Sequence, residues 1–236
     1  MGITSTRRRE IAWVLTGPRL GGALSFFSGL LFTASVLALP TSWHHADTEN
    51  LLQALQDGGL VIYVRHGEAE TEEDDTTRLT EGGCEQLAAT AAALEEADIG
   101  AETVLSSPTT RTMQSARLLF PEAEIRSEDK LDMERFTDAE TRGTLVAALR
   151  ELLARPTDGG NRWLIGHITP LVMALDTPFG GDDLPVGTMA VFLPEGDGRF
   201  THVGNLPPHW GLAEADTKTG ESPGDFSVCE QEPPSA

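Results

Sequence analysis

Short apolar runs alternate along this chain with segments of helical periodicity, and no other feature restricts its fold so strongly. Leu60–Val64 ("LVIYV") is too short for a stable helix and lacks polar alternation, so it reads as a strand buried on both faces. "ETVLSS" at 102–107, "AEIR" at 123–126 and "RWLIGH" at 162–167 read as further short strands. Between them lie helical patterns: "DTENLLQALQ"; a helix from Thr80 with Cys84, Leu87, Ala88, Ala91 and Leu94 on one face; "PTTRTMQSARLL"; Asp138–Ala154, ended by Pro156; and "PLVMAL". "MAVFL" and "RFTHVG" around "PEGDG" form a closing hairpin. Strands separated by helices predict an α/β domain: a three-layer α/β/α sandwich with a mainly parallel central sheet. There is no internal repeat.

The N-terminus is a separate object. Arg7, Arg8, Arg9 and Arg19 precede Leu20–Leu39, an uncharged apolar stretch that stops at Pro40. Residues 1–40 therefore read as an export signal or an N-terminal membrane anchor, and the sequence supports either. "TRRREIA" loosely resembles a twin-arginine signal. The arginines remain on the cytoplasmic side, so the rest of the chain is expected to be exported, periplasmic or otherwise extracytoplasmic. Any contact with membrane is expected only through this segment, if it is uncleaved. Residues 41–212 form the functional domain, and 213–236 have the composition of an acidic disordered tail. An exported setting permits a disulfide between Cys84 and Cys229, the two cysteines, though two free thiols fit the sequence equally.

Charge narrows the functions. The 236 residues carry a formal charge of −20. Nucleic-acid binding, which needs basic patches, is not expected. Any anion site must gather its few arginines locally.

Three strand ends offer such a gathering. "VIYVRHG" delivers Arg65 and His66. "VLSSPTTR" offers Ser107 as a helix cap, Pro108 at the first helical position and Arg111 in the first turn. "WLIGHITP" places His167 just beyond a strand, with Thr169 as a cap. In parallel sheets ligands bind beyond the carboxyl ends of strands, and helix N-termini there favour anions. Singly, each residue is more often structural. Together, two guanidiniums and two imidazoles suit a tetrahedral oxyanion such as phosphate.

Those motifs, "RHGE", "SSPTTRTMQSA" and "GHITP", resemble the histidine phosphatase superfamily, with its phosphoglycerate mutase-like fold. The resemblance runs from about Leu51 to Leu212 and includes "RLTEGG" at Arg78–Gly83; the ending is similar to that of small exported members. It implies that His66 is the nucleophile, forming a phosphohistidine, and that Arg65, Arg111 and His167 hold the phosphoryl oxygens. No cofactor or metal is implied. Gly67 is expected because a side chain there would crowd the pocket. A general acid must sit near the nucleophile; "LDMERFTD" supplies Glu134, the favoured residue, and Asp132, while Glu68 and Asp75 are rivals. The mutase branch's "E…G.WEG" pattern is absent. The run Glu72–Asp75 is read as a solvated loop rather than a metal site.

The expected activity is that of an exported phosphomonoesterase acting on a small phosphate ester without metal. Two alternatives stand beside it. One is a phosphohistidine-protein phosphatase, which fits the compact spacing from His66 to His167. The other is a non-catalytic anion-binding or envelope scaffold domain, separable from an enzyme by turnover.

Overall fold

The computed structural model describes residues 48–70, 74–175, 183–208, 210 and 227–230. Helix α1 (Thr48–Asp57) leads into strand β1 (Val61–Arg65), followed by α2 (Glu81–Glu96), β2 (Thr103–Ser106), α3 (Thr110–Leu119) and β3 (Ile125–Ser127). A 3-10 turn (Asp129–Leu131), α4 (Met133–Thr137) and α5 (Arg142–Ala154) come next. Then come β4 (Arg162–Gly166), α6 (Ile168–Leu175), β5 (Met189–Gly196), β6 (Arg199–Leu206) and α7 (Ser227–Glu230). The apolar segment at 20–39 lies outside the described residues; among those described, no helix is long and apolar enough to cross a membrane.

One six-stranded sheet results, in the order β3-β2-β4-β1-β5-β6. Strands β3, β2, β4 and β1 are parallel, β5 runs antiparallel to β1, and β6 returns antiparallel to β5. The hairpin turns on Asp197 and Gly198, whose φ angles of 51° and 70° suit the Asp-Gly pair. Successive residues of β1 face opposite sides, and the core divides accordingly. Ile62 and Val64 pack with Trp163, Ile165, Leu55, Leu87 and Ala116 beneath α1, α2 and α3. Val61 and Tyr63 pack with Leu164, Phe136, Leu149 and Leu171 beneath α4, α5 and α6. The expected three-layer arrangement, helices on both faces of a mostly parallel sheet, is the one that forms. Val61 to Val64 are fully buried, each stabilising the fold by roughly 1.5–3 kcal/mol through lost contact with water.

Several local expectations are corrected. Thr109, not Ser107, holds the N-cap position of α3, because the Ser107 hydroxyl is taken by His167. Helix α6 begins at Ile168, directly after His167, so Thr169 lies inside its first turn rather than capping it. Helix α5 starts at Arg142, since the Asp138 carboxylate accepts from the Glu140 N–H and the Thr141 hydroxyl to close a separate turn. The segment around Glu134 is helical, with Asp132 as its cap. Within the tail expected to be disordered, Ser227–Glu230 is a helical turn, because Cys229 forms a disulfide with Cys84 of α2.

Two glycines let α2 dock against the turn after β1. A Cβ on Gly83 would lie 2.2 Å from the Glu68 carbonyl oxygen, and one on Gly67 would lie 2.7 Å from a Leu87 methyl. Helix packing thus gives Gly67 a reason of its own beside the crowding of the pocket expected from sequence. Gly83→Ala should push α2 off the turn and destabilise the protein by about 1–3 kcal/mol. Urea denaturation measures the loss; an unchanged midpoint would contradict this packing.

Candidate active site

Strands β1 and β4 are parallel neighbours with Arg65 opposite Gly166. The residues that follow, His66 and His167, therefore leave the sheet side by side, their rings 5.2 Å apart and edge to face. Strand β4 also pairs with β2, Ser106 opposite Ile165, and the Ser107 N–H donates to the Ile165 carbonyl. Ser107 thereby reaches the same level. Helix α3 begins just beyond and carries Arg111 in its first turn, with a guanidinium nitrogen 3.5 Å from His167 Nδ1. Arg65 donates to the Leu184 carbonyl at 2.7 Å, and its charge bears on both imidazoles. The structure brings together Arg65, His66, Arg111 and His167.

Hydrogen bonding assigns the tautomers. His66 Nδ1 lies 2.8 Å from the Gly67 carbonyl, which can only accept, so Nδ1 carries the proton and Nε2 the lone pair. A guanidinium can only donate, so His167 Nδ1 accepts from Arg111, and its Nε2–H donates to the hydroxyls of Ser107 at 3.1 Å and Thr109 at 3.4 Å. Burial first, then the two guanidiniums, hold His66 down to about 4, against a pull upward from the Gly67 carbonyl. His167 is lowered further by burial, His66 and the same two arginines. Both imidazoles are neutral at pH 7 in a locally positive recess. An unprotonated ring nitrogen beside two fixed cations can attack phosphorus while the developing charge is stabilised.

Some supporting groups were not singled out from sequence. The hydroxyl of Tyr63, fully buried, donates to the His167 carbonyl at 2.8 Å and accepts from the His167 N–H at 3.1 Å. It braces the backbone that presents the imidazole. The signal was available: this is the chain's one tyrosine, in a strand otherwise apolar up to Arg65, and a buried phenol needs a partner. Ser115 accepts from the Gly67 N–H at 3.1 Å, fixing the turn that carries His66. The acidic loop does more than sit in solvent. The Asp74 carbonyl accepts from Arg111 at 2.6 Å, and the Asp75 carbonyl from the Thr110 N–H at 2.8 Å. Residues 71–73 of that loop lie outside the described residues.

The candidate acids separate by environment. Glu134 is exposed on α4, its N–H donating to Asp132 Oδ1. Asp132 is buried, and its carboxyl is raised by that burial and by Asp75 and Asp129, against the Glu134 N–H and Arg135. Glu68 and Asp75 are exposed. Among the described residues, no group of three or more His, Cys, Asp or Glu side chains is arranged to hold a metal ion.

Residues 61–167 match the family model of the Histidine phosphatase superfamily (branch 1). That match marks the segment 61–167, just under half of the chain, as histidine phosphatase-like, a class of hydrolase acting on phosphomonoesters. Its solved structural neighbours include the protein histidine phosphatase SixA complexed with tungstate, 21% identical, with 63% of this chain and 97% of that chain covered and a TM-score of 0.47. Phosphoserine phosphatase from Entamoeba histolytica, as a variant in complex with phosphoserine, is 14% identical over 63% and 97%, with a TM-score of 0.45. A mycobacterial glucosyl-3-phosphoglycerate phosphatase is 16% identical over 57% and 92%, with a TM-score of 0.43. No curated protein matches the sequence significantly.

The neutral imidazoles set a pH response. A histidine whose folded pKa is depressed binds fewer protons folded than unfolded between about 4 and 6.5, so its contribution to stability is complete above pH 6.5 and is lost as pH falls toward 4. Denaturation from pH 7.5 to 4.5 should show this fall, shallower in a His66→Asn variant. An equal fall in both proteins would contradict a depressed His66.

Proposed function

We propose that the protein is an exported phosphomonoesterase that hydrolyses a small phosphate ester through a phosphohistidine on His66, without a metal. The observation that carries this reading is the neutral His66 imidazole, with Nε2 unprotonated, beside Arg65, Arg111 and His167. In the first step Nε2 attacks phosphorus, the bond to the ester oxygen breaks, and that oxygen takes a proton from a carboxylic acid. In the second, the resulting carboxylate takes a proton from water, water oxygen attacks phosphorus, and the P–N bond breaks to release inorganic phosphate. Arg65 and Arg111 hold the equatorial oxygens throughout, and His167 joins them once the bound phosphoryl group's negative charge draws a proton onto its Nδ1. The domain's negative charge outside this recess favours small or weakly charged esters over polyanions.

The acid in this reading is Asp132 rather than Glu134. Burial, with Asp75 and Asp129 nearby, raises its carboxyl above the usual carboxylate range, the direction a general acid needs. Export is supported by the arginine-led apolar stretch at 20–39 and by the Cys84–Cys229 disulfide, a bond that persists in oxidising compartments.

Purified protein should hydrolyse p-nitrophenyl phosphate in the presence of chelator, and His66→Ala should lower kcat by about 10⁴-fold or more. Activity that survives the substitution, or that chelation abolishes, would overturn the mechanism. Bound phosphate or vanadate with no turnover would favour the anion-binding alternative. Asp132→Asn should lower kcat on phenyl phosphate by roughly 10²-fold, and by much less on p-nitrophenyl phosphate, whose leaving group needs little protonation. If Glu134→Gln produces that leaving-group dependence instead, the acid is Glu134.

A further inference from the structure

Helix α3 grips the loop before α2 at three points. Thr110 N–H donates to the Asp75 carbonyl, Arg111 to the Asp74 carbonyl, and Gln114 Oε1 accepts from the Leu79 N–H at 3.0 Å. The third point differs from the others because its far side is also held. Gln114 Nε2 donates to the carbonyls of Val228 and Cys229, each at 3.4 Å, and Cys229 is fixed by its disulfide to Cys84. The amide has a single workable orientation. A backbone N–H can only donate and backbone carbonyls can only accept, so the oxygen must face Leu79 and the nitrogen the tail. Gln114 is only 2% exposed, so water cannot take the place of a lost partner.

We propose that Gln114 is a positioning residue through which the tail turn, tethered by Cys84–Cys229, sets the loop that holds Arg111. The inference rests on the reading of Arg111 as a phosphate ligand and adds a control to it. From Leu79 the loop runs back to Asp74 through Thr77, whose N–H donates to the Asp74 carbonyl and whose hydroxyl accepts from the Asp74 N–H. That same Asp74 carbonyl receives the Arg111 guanidinium. Loosening Leu79 therefore loosens the group that orients Arg111, and removing the disulfide loosens the carbonyls that orient Gln114. The state of a bond far along the sequence is read at the anion site. Phosphate affinity falls when the disulfide opens, while the nucleophile His66, fixed by Gly67 and Ser115, keeps its place.

The test uses the full oxidised chain, a chain reduced by phosphine, and the variants Gln114→Met and Cys229→Ser. Cys229→Ser alters only the half-exposed tail and leaves the core thiol in place. Two quantities are measured: exchange of the Leu79 amide hydrogen, and the Kd for inorganic phosphate by calorimetry. In each altered protein, Leu79 exchange should accelerate about tenfold or more, and the Kd should rise roughly 5- to 10-fold. Reduction of Gln114→Met should add little to either, because both changes cut one chain of contacts. Unchanged Leu79 exchange, an unchanged Kd, or effects that simply add would overturn the proposal. Neither readout depends on turnover, so a wild-type chain that binds phosphate without hydrolysing esters would contradict the enzymatic reading and leave this one standing.

Discussion

The pairing of β1 with β4 is the constraint on which the site depends. Because the two strands are parallel and Arg65 stands opposite Gly166, one residue of advance along each places two imidazoles beside each other. An antiparallel pairing would send them to opposite ends of the sheet. A register shift of one residue would turn one ring to the other face. The pairing is held by burial of both strands on both faces, so the energy that folds the core also positions the chemistry.

That placement explains the electrostatics. A chain of charge −20 keeps a small positive recess because Arg65 and Arg111 come from two different strand ends, and the imidazoles between them respond by shedding protons. The same neutral state serves nucleophilic attack and weakens the fold in acid. Polar groups behind the site complete it. Tyr63 fixes the His167 backbone, Ser107 and Thr109 its ring, and Ser115 the Gly67 turn.

Much of this was legible in sequence for identifiable reasons. The strands at 60–64 and 162–166 stood out because burial on both faces leaves no polar positions, and Arg65, His66 and His167 followed from their ends. Arg111 was legible because Pro108 marks where a helix begins. The cap positions were misread since Ser107 and Thr169 look like caps, while their local competitors, a histidine ring and a strand running straight into a helix, are set by tertiary contacts. The roles of Gln114 and of the loop carbonyls were not legible at all. Backbone acceptors carry no signature in side-chain letters, and a glutamine inside a helix looks like a surface residue. Glu134 was favoured on position within its motif, but burial distinguishes Asp132, and burial at a helix cap depends on what packs over it.

The most direct test of the central claim is to find the covalent intermediate. Enzyme mixed with an aryl phosphate, quenched within milliseconds into alkali and digested, should yield one peptide bearing phosphate on the imidazole of His66, seen by mass spectrometry. Phosphate on His167, or none on any histidine while ester is being hydrolysed, would contradict the account.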